Sequence, residues 1–402
     1  MSWKLSKSRA MFFRETGEPP NESFWTGEQE RLVAAGVSSI DMGTLPDWDP
    51  SAADSRSNCP SLHETLTELA SLVDARWKAR VDNIYGGRTH QSSDLAFSQH
   101  GAQGGVVVVS SEMTMSLIAY ANLWGRFLTL FDVSRDISRE QWSNTETAML
   151  EDFRALVNEF QAQGLAALLG KWPLTFKSRE HGEAAAGLVQ SAERWILAHE
   201  LAHHILRHGT NRPDKQAKES IQGGMRDKMV SCELDGMSVA QLEEIEADLL
   251  AFELIAGEYA KDTNAVTVLQ AYQGACLALV AVGHLTGDWT ADPGDSHPGT
   301  LARVVVITKW ALTRHSTSVE DVLTAMPGDR KFYRLAAASL AYAMWAAGAA
   351  RDQVAPTWHP DDEMADEPDP IKNYVNLAVM FGAMEDFGEQ PALVWKGTST
   401  PG

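Results

Sequence analysis

Positive charge is in short supply. Only 34 Lys and Arg stand against 54 Asp and Glu among 402 residues, leaving a net charge of −20. Nucleic acid and anionic membrane surfaces would repel such a chain, so neither is expected as a partner. Cysteine is scarcer still: Cys59, Cys232 and Cys276 are odd in number and widely spaced. They make no disulfide framework, and a reducing cytoplasm is the expected setting. No apolar run follows the basic residues at the N-terminus, so no secretory signal is visible. Fixed-period repeats, low-complexity tracts, Gly-x-Gly-x-x-Gly and Walker loops, Ser nucleophile elbows and paired Cys motifs are all lacking. Long uncharged runs are nearly lacking too. The exception, Thr263 to Gly287, is long enough to span a bilayer. Asn264, Gln270, Gln273 and His284 interrupt it, and its continuously apolar part is short, so a buried core helix is the expectation.

What remains is ordinary globular material, with 44% hydrophobic and 22% charged residues, enough for a sizeable core. Helical periodicity dominates. Leu62, Leu66, Leu69 and Leu72 predict a helix over 61–80 capped by Ser61, and 112–132 and 138–169 add more. Asn83 to Gly105 is rich in Gly, Ser, His and Gln. Val106 to Val109 then forms a strand, either an exposed edge or an ordinary buried one. Thr210 to Val239 reads as an active-site lid or, better, a disordered insertion. Helices resume over 240–261, 264–286, 298–314, 331–351 and 371–387.

One helix stands out, running through His199-Glu200-Leu-Ala-His203-His204-Ile-Leu-Arg207-His208-Gly209. The imidazoles of His199 and His203, at i and i+4, lie one turn apart on one face, where a single Zn²⁺ can accept a nitrogen from each. Glu200 sits close enough to act as general base toward a water on that metal. Trp195, Ile196, Leu197, Leu201, Ile205 and Leu206 cover the rest of the circumference, so the helix should cross a core and stop at Gly209. His204 and His208 are off the ligand face and read as structural. His63-Glu64 lacks the second histidine, and His359-Pro360 has no Arg at a useful distance.

A third ligand is needed. Glu243, Glu244, Glu246 and Asp248 open a strongly apolar helix, and Glu244 and Asp248 share a face. Zn²⁺ on Glu244, with Asp248 accepting a hydrogen bond from a ligating histidine, would reconcile the two like charges. A solvated acidic first turn is the alternative; it accounts for Glu243 and Glu244 but poorly for Asp248, which apolar residues follow.

His199-Glu200-x-x-His203-x-x-x-Arg207-His208-Gly209, then Glu244-x-x-Ala247-Asp248, then His297-Pro298-x-x-x-x-Arg303 resembles the gluzincin metallopeptidases typified by the CAAX prenyl protease and the HtpX-type heat-shock protease. Asp94-Leu-Ala-Phe97, with Gly104-Gly105 and the Val106–Val109 strand, is similar to the stretch preceding the zinc helix there. The resemblance implies Glu244 as third zinc ligand, Asp248 behind a ligand, and His297 and Arg303 as substrate or transition-state contacts. It implies a mainly α (α+β) fold: a zincin-like core with a small sheet over 93–316, an N-terminal helical and irregular region over 1–92, and a C-terminal helical region over 317–402. The expected activity is zinc-dependent hydrolysis of peptide bonds in a protein or peptide substrate. The alternative is a non-catalytic or latent zinc protein that acts by binding partners.

Overall fold

The computed structural model describes residues 3–19, 57–90, 95–101, 104–132, 179–208, 215–226, 234–256, 265–287 and 297–311, with a few positions in 23–34, in 138–155 and at 343. Apart from Ala343, the helices expected over 331–351 and 371–387, and the C-terminal region, lie outside these residues.

The architecture is mainly helical with one small sheet, as the periodicity implied. In chain order come α1 (Trp3–Thr16), α2 (Pro60–Leu72), the single turn α3 (Lys78–Val81), β1 (Ile84–Thr89), β2 (Ala96–Gly101), β3 (Gly104–Ser110) and α4 (Ser111–Asp132). There follow α5 (Arg179–Leu206), α6 (Lys215–Met225), α7 (Val239–Ala256), α8 (Ala265–Thr286) and a last helix, α9, over 300–311.

The sheet holds more than the valine run. Asn83 to Gly105 supplies two further strands. Of the two placements open to Val106–Val109, the run takes the buried one, in the central strand between parallel β1 and antiparallel β2. Four consecutive valines suit a strand covered on both faces, which is where β3 sits, fully buried from Gly105 on. Of the two outer strands, β1 is buried throughout and β2 is half-buried then exposed along its length. Its Ser, Gln and His residues hide its strand character from a hydrophobicity pattern.

Three helix boundaries also move. Helix α2 begins with Pro60 in its first turn and ends at Leu72, and Cys59 rather than Ser61 is its N-cap residue. Within Thr210–Val239, residues 215–225 are helical, and Ile221 and Met225 are buried, so this part is no disordered insertion. Helix α5 ends at Leu206, before Gly209. Arg207 itself takes the left-handed conformation (φ 58°), and the His208 N–H returns to the His203 carbonyl at 3.2 Å. That six-residue closure turns His208 back onto the helix.

Helix α5 is the axis of the molecule. Helices α8, α7, α4 and α2 and the sheet all pack on it. Thr267–Thr286 in α8 has the length and hydropathy to cross a membrane. In this fold Ala271, Ala275, Ala278 and their neighbours are buried in the core. Gly274 lets α8 approach α5 closely, since a Cβ there would lie 2.5 Å from the Ser191 carbonyl oxygen. Helix α7 is buried from Ile245 to Leu254 on every side, with three carboxylates among the buried residues. Each has a partner: Glu246 with His208, Asp248 with Arg303, and Glu253 with the Trp310 indole N–H at 2.7 Å.

Candidate metal centre

Helices α5 and α7 cross so that their ligand-type side chains face one another. Among the described residues, one group of His, Cys, Asp or Glu brings three ligand atoms within 4.8 Å of one another: His199, His203 and Glu244. The two Nε2 atoms are 3.1 Å apart, and Glu244 reaches 3.4 Å from His199 Nε2 and 3.6 Å from His203 Nε2. Glu244 is the residue of the acidic cluster that joins the histidines. Glu243 turns to Lys218 (2.9 Å) and Glu246 to His208 (3.1 Å). A capping box, Ser238 with Gln241, starts α7 and sets this phase: the Gln241 N–H reaches Ser238 Oγ at 3.2 Å and the Ser238 N–H reaches Gln241 Oε1 at 2.9 Å.

Behind the trio lie polar partners. Asp248, fully buried, sits 2.8 Å from His199 Nδ1 and accepts both arms of the Arg303 guanidinium at 2.7 and 2.8 Å. Arg303 was expected to face substrate. Its guanidinium is instead buried behind Glu244, 3.9 Å from that carboxylate, and it does not line the cleft. His297 does line it, with a half-exposed ring 3.9 Å from Glu244, and Gln241 binds its carbonyl oxygen. On the other side, His203 Nδ1 meets His208 Nδ1 at 2.9 Å.

The proton positions follow from the carboxylates outward. Ionised Asp248 and Glu246 only accept, so His199 Nδ1 and His208 Nε2 carry their hydrogens. With neutral rings, His208 Nδ1 then accepts from His203 Nδ1. Both Nε2 atoms of His199 and His203 are left as lone pairs, pointing at the same small volume beside an anionic Glu244. Two lone pairs and a carboxylate at these distances call for a cation, and two imidazoles with one carboxylate suit Zn²⁺. In the metal-free site a proton on His199 stands in for that cation. Burial opposes charge on His199, yet hydrogen bonds to Asp248 and Glu244 raise its pKa to about 10. Burial and the neighbouring His199 charge push His203 well below its ordinary value. Burial would raise Glu244, but the hydrogen bond with His199 and the histidine charges hold it far below the usual carboxylate range.

The trio opens onto a cleft of about 350 Å³ whose lining includes Ala96, Phe97, Ser98 and His100 of the edge strand, Glu200, and Ala240 at the start of α7. Glu200 is buried at its wall. Burial pushes its carboxyl up to about 7, with the Glu244 charge adding to the rise, while the His199 charge and a hydrogen bond with Ser98 oppose it. His204 points the other way: its ring lies 3.1 Å from His100 Nδ1 and 3.3 Å from the Val106 carbonyl oxygen, fastening α5 to the sheet. His63, the motif without a second histidine, accepts the Gly86 N–H at 3.1 Å and joins α2 to β1.

Sequence reasoning passed over Ser98, Lys218 and Gln222, read His208 as structural and gave Glu246 no partner. Only the capping pattern Ser-x-x-Gln carried a local signal, and it marks the start of α7 rather than these side chains.

The fold and this cleft define a helical α+β protein with a candidate metal centre on its longest helix. The family model described as Peptidase U49 matches residues 170–322, a span that holds α5, α7, His297 and Arg303. The match supports a peptidase. It does not extend to the specific prenyl-protease group that the motifs resemble. No curated protein and no solved structure matches the chain.

Proposed function

We propose that this chain is a zinc-dependent endopeptidase of the gluzincin kind, with His199, His203 and Glu244 holding the ion. The observation that carries this reading is the convergence of two imidazole lone pairs and one carboxylate at a cleft with a buried carboxyl, Glu200, beside them. Zn²⁺ bound there would supply Lewis acidity, making a water more acidic and polarising a carbonyl.

The chain's own residues do the rest. Glu200, with a pKa near 7, takes the proton of the attacking water and delivers it to the leaving amine. His297, half-exposed at the cleft and 3.9 Å from Glu244, donates to the developing oxyanion. Asp248, clamped by Arg303, holds His199 in one tautomer and one orientation. The cleft-side strand β2 has, among the described residues, no strand on its outer side, so an extended peptide can add itself there. Cys59 and Cys276, buried thiols outside any disulfide, fit a cytoplasmic setting.

The test is Glu200→Gln in the full chain. It should bind Zn²⁺ as the parent does and lose about 10²–10⁴-fold in cleavage rate on a peptide library. Cleavage at the parental rate would remove Glu200 from the mechanism. A second reading, a latent site with His297 as a fourth ligand, draws on the 3.9 Å approach of that ring to Glu244. His297→Ala separates the two: it slows a working enzyme and releases a latent one.

A further inference from the structure

Glu200 and Asp248 account for the acid groups around His199, but the cluster on the far side of His203 has no role in the reading above. There His208 Nδ1 lies 2.9 Å from His203 Nδ1, and His208 Nε2 lies 3.1 Å from Glu246 Oε2. Glu246 in turn accepts the Gln222 amide at 2.6 Å and the Lys218 ammonium at 3.2 Å. Four elements meet in this line: the end of α5, the closing turn after it, α7, and α6. The His208 and Glu246 side chains are almost fully buried.

We propose that His208, Glu246 and Lys218 are positioning residues for His203, forming a second chain that fixes the tautomer and aim of that ligand as Asp248 and Arg303 do for His199. The inference rests on the reading of His199, His203 and Glu244 as metal ligands. Its physical content is directional. Every link is donor to acceptor in one sense only: Lys218 and Gln222 hold Glu246 as an acceptor, Glu246 holds His208 Nε2–H, and His208 Nδ1 receives His203 Nδ1–H. With one proton on each ring, reversing any link would put two hydrogens or two lone pairs face to face in a buried space. Holding Nδ1–H fixes Nε2 as a lone pair, which is the form that binds metal, and hydrogen bonding at the far nitrogen makes it a better donor.

Two features argue for more than packing. An imidazole relayed through a second imidazole needs both rings set to within a few tenths of an ångström, and the left-handed Arg207 followed by the His208-to-His203 backbone bond supplies that setting. Lys218 also reaches Glu243 at 2.9 Å, and Glu243 lines the cleft, so α6 braces the ligand chain and the cleft wall with one ammonium.

The experiment measures Zn²⁺ affinity of the full-length apoprotein by competition with a chromophoric chelator, together with the visible spectrum of the Co²⁺-loaded protein. His208→Ala and Glu246→Gln should each weaken Zn²⁺ binding by about 10–100-fold and shift the Co²⁺ bands. Lys218→Met, on a partly exposed helix face that tolerates the change, should weaken it by less. The double variant of His208→Ala and Glu246→Gln should be no weaker than His208→Ala alone, because both cut one line. Glu193→Gln, which loosens α5 at a site remote from the trio, should lower stability and leave the Zn²⁺ affinity as it was. Should His208→Ala fail to fold, Glu246→Gln and Lys218→Met still decide the matter. Parental Zn²⁺ affinity and Co²⁺ spectra in all three, with binding lost in His203→Ala, would overturn the positioning chain alone. An apoprotein that binds no Zn²⁺, or a His203→Ala protein that binds like the parent, would instead sink the metal reading beneath it.

Discussion

At Arg303 a single side chain decides between two roles. A guanidinium reaching toward substrate would be exposed at the cleft and free to move. This one is buried and gives two parallel hydrogen bonds to Asp248, which is itself shut off from water. A planar fork on a carboxylate is worth more than a point charge, and removing it strands a buried anion. Arg303→Ala should therefore cost about 3–5 kcal/mol of folding stability in the metal-free protein, read from the denaturant midpoint. Arg303→Lys should recover only part of that, because an ammonium makes no bidentate contact. A lysine variant with parental stability and no peptide cleavage would return Arg303 to the substrate.

Among the elements, α5 carries most of the burden, and its neighbours reach it through specific devices. Arg88 on β1 is buried and donates to Glu193 on α5 at 2.6 Å, to Thr114 on α4, and to the Cys59 thiol at 3.2 Å. Gly105 lets β3 slide against His204, where a Cβ would come within 2.3 Å of the ring. Gly274 does the same for α8 against α5, but its obstacles are backbone atoms, Ser191 O at 2.5 Å and Ala192 N at 3.0 Å, which do not swing aside. Gly274→Ala should destabilise the protein by about 1–3 kcal/mol despite the better helix propensity of alanine. A thermal midpoint equal to the parent's would mean that α8 does not sit this close. The same contact bears on the apolar length of α8: a helix packed this tightly on α5 has its hydrophobicity taken up by the core.

For the molecule as a whole, the candidate metal centre is a joint between two helices that are also held by apolar packing and by the His199–Asp248 and His208–Glu246 pairs. His199 and His203 come from α5 and Glu244 from α7, so a bound ion would cross-link them. Without an ion, the Glu244 charge is balanced within the trio by a proton on His199. Saturating Zn²⁺ should raise stability by about 4 kcal/mol at a concentration a thousandfold above its dissociation constant. A chelator should lower the thermal midpoint and added Zn²⁺ restore it, while His203→Ala should respond to neither. A midpoint indifferent to chelator in the parent protein would mean that no ion bridges α5 and α7.

Local pattern settled what depends on neighbours along the chain. The spacing of His199 and His203, the apolar circumference of their helix, the i and i+4 placement of Glu244 and Asp248, and the predominance of helix are all properties of short segments, and periodicity exposes them directly. Tertiary structure alone decided what depends on which segments meet. It made the valine run a central strand and gave an edge to Ala96–Gly101, because pairing partners, not composition, distinguish the two. It turned Arg303 away from the cleft and onto Asp248, and it brought His208 and Glu246 together across 38 positions of sequence. Hydrogen bonds between distant side chains leave no period to read: each is a coincidence of two helix phases and one crossing angle, fixed only when the core closes.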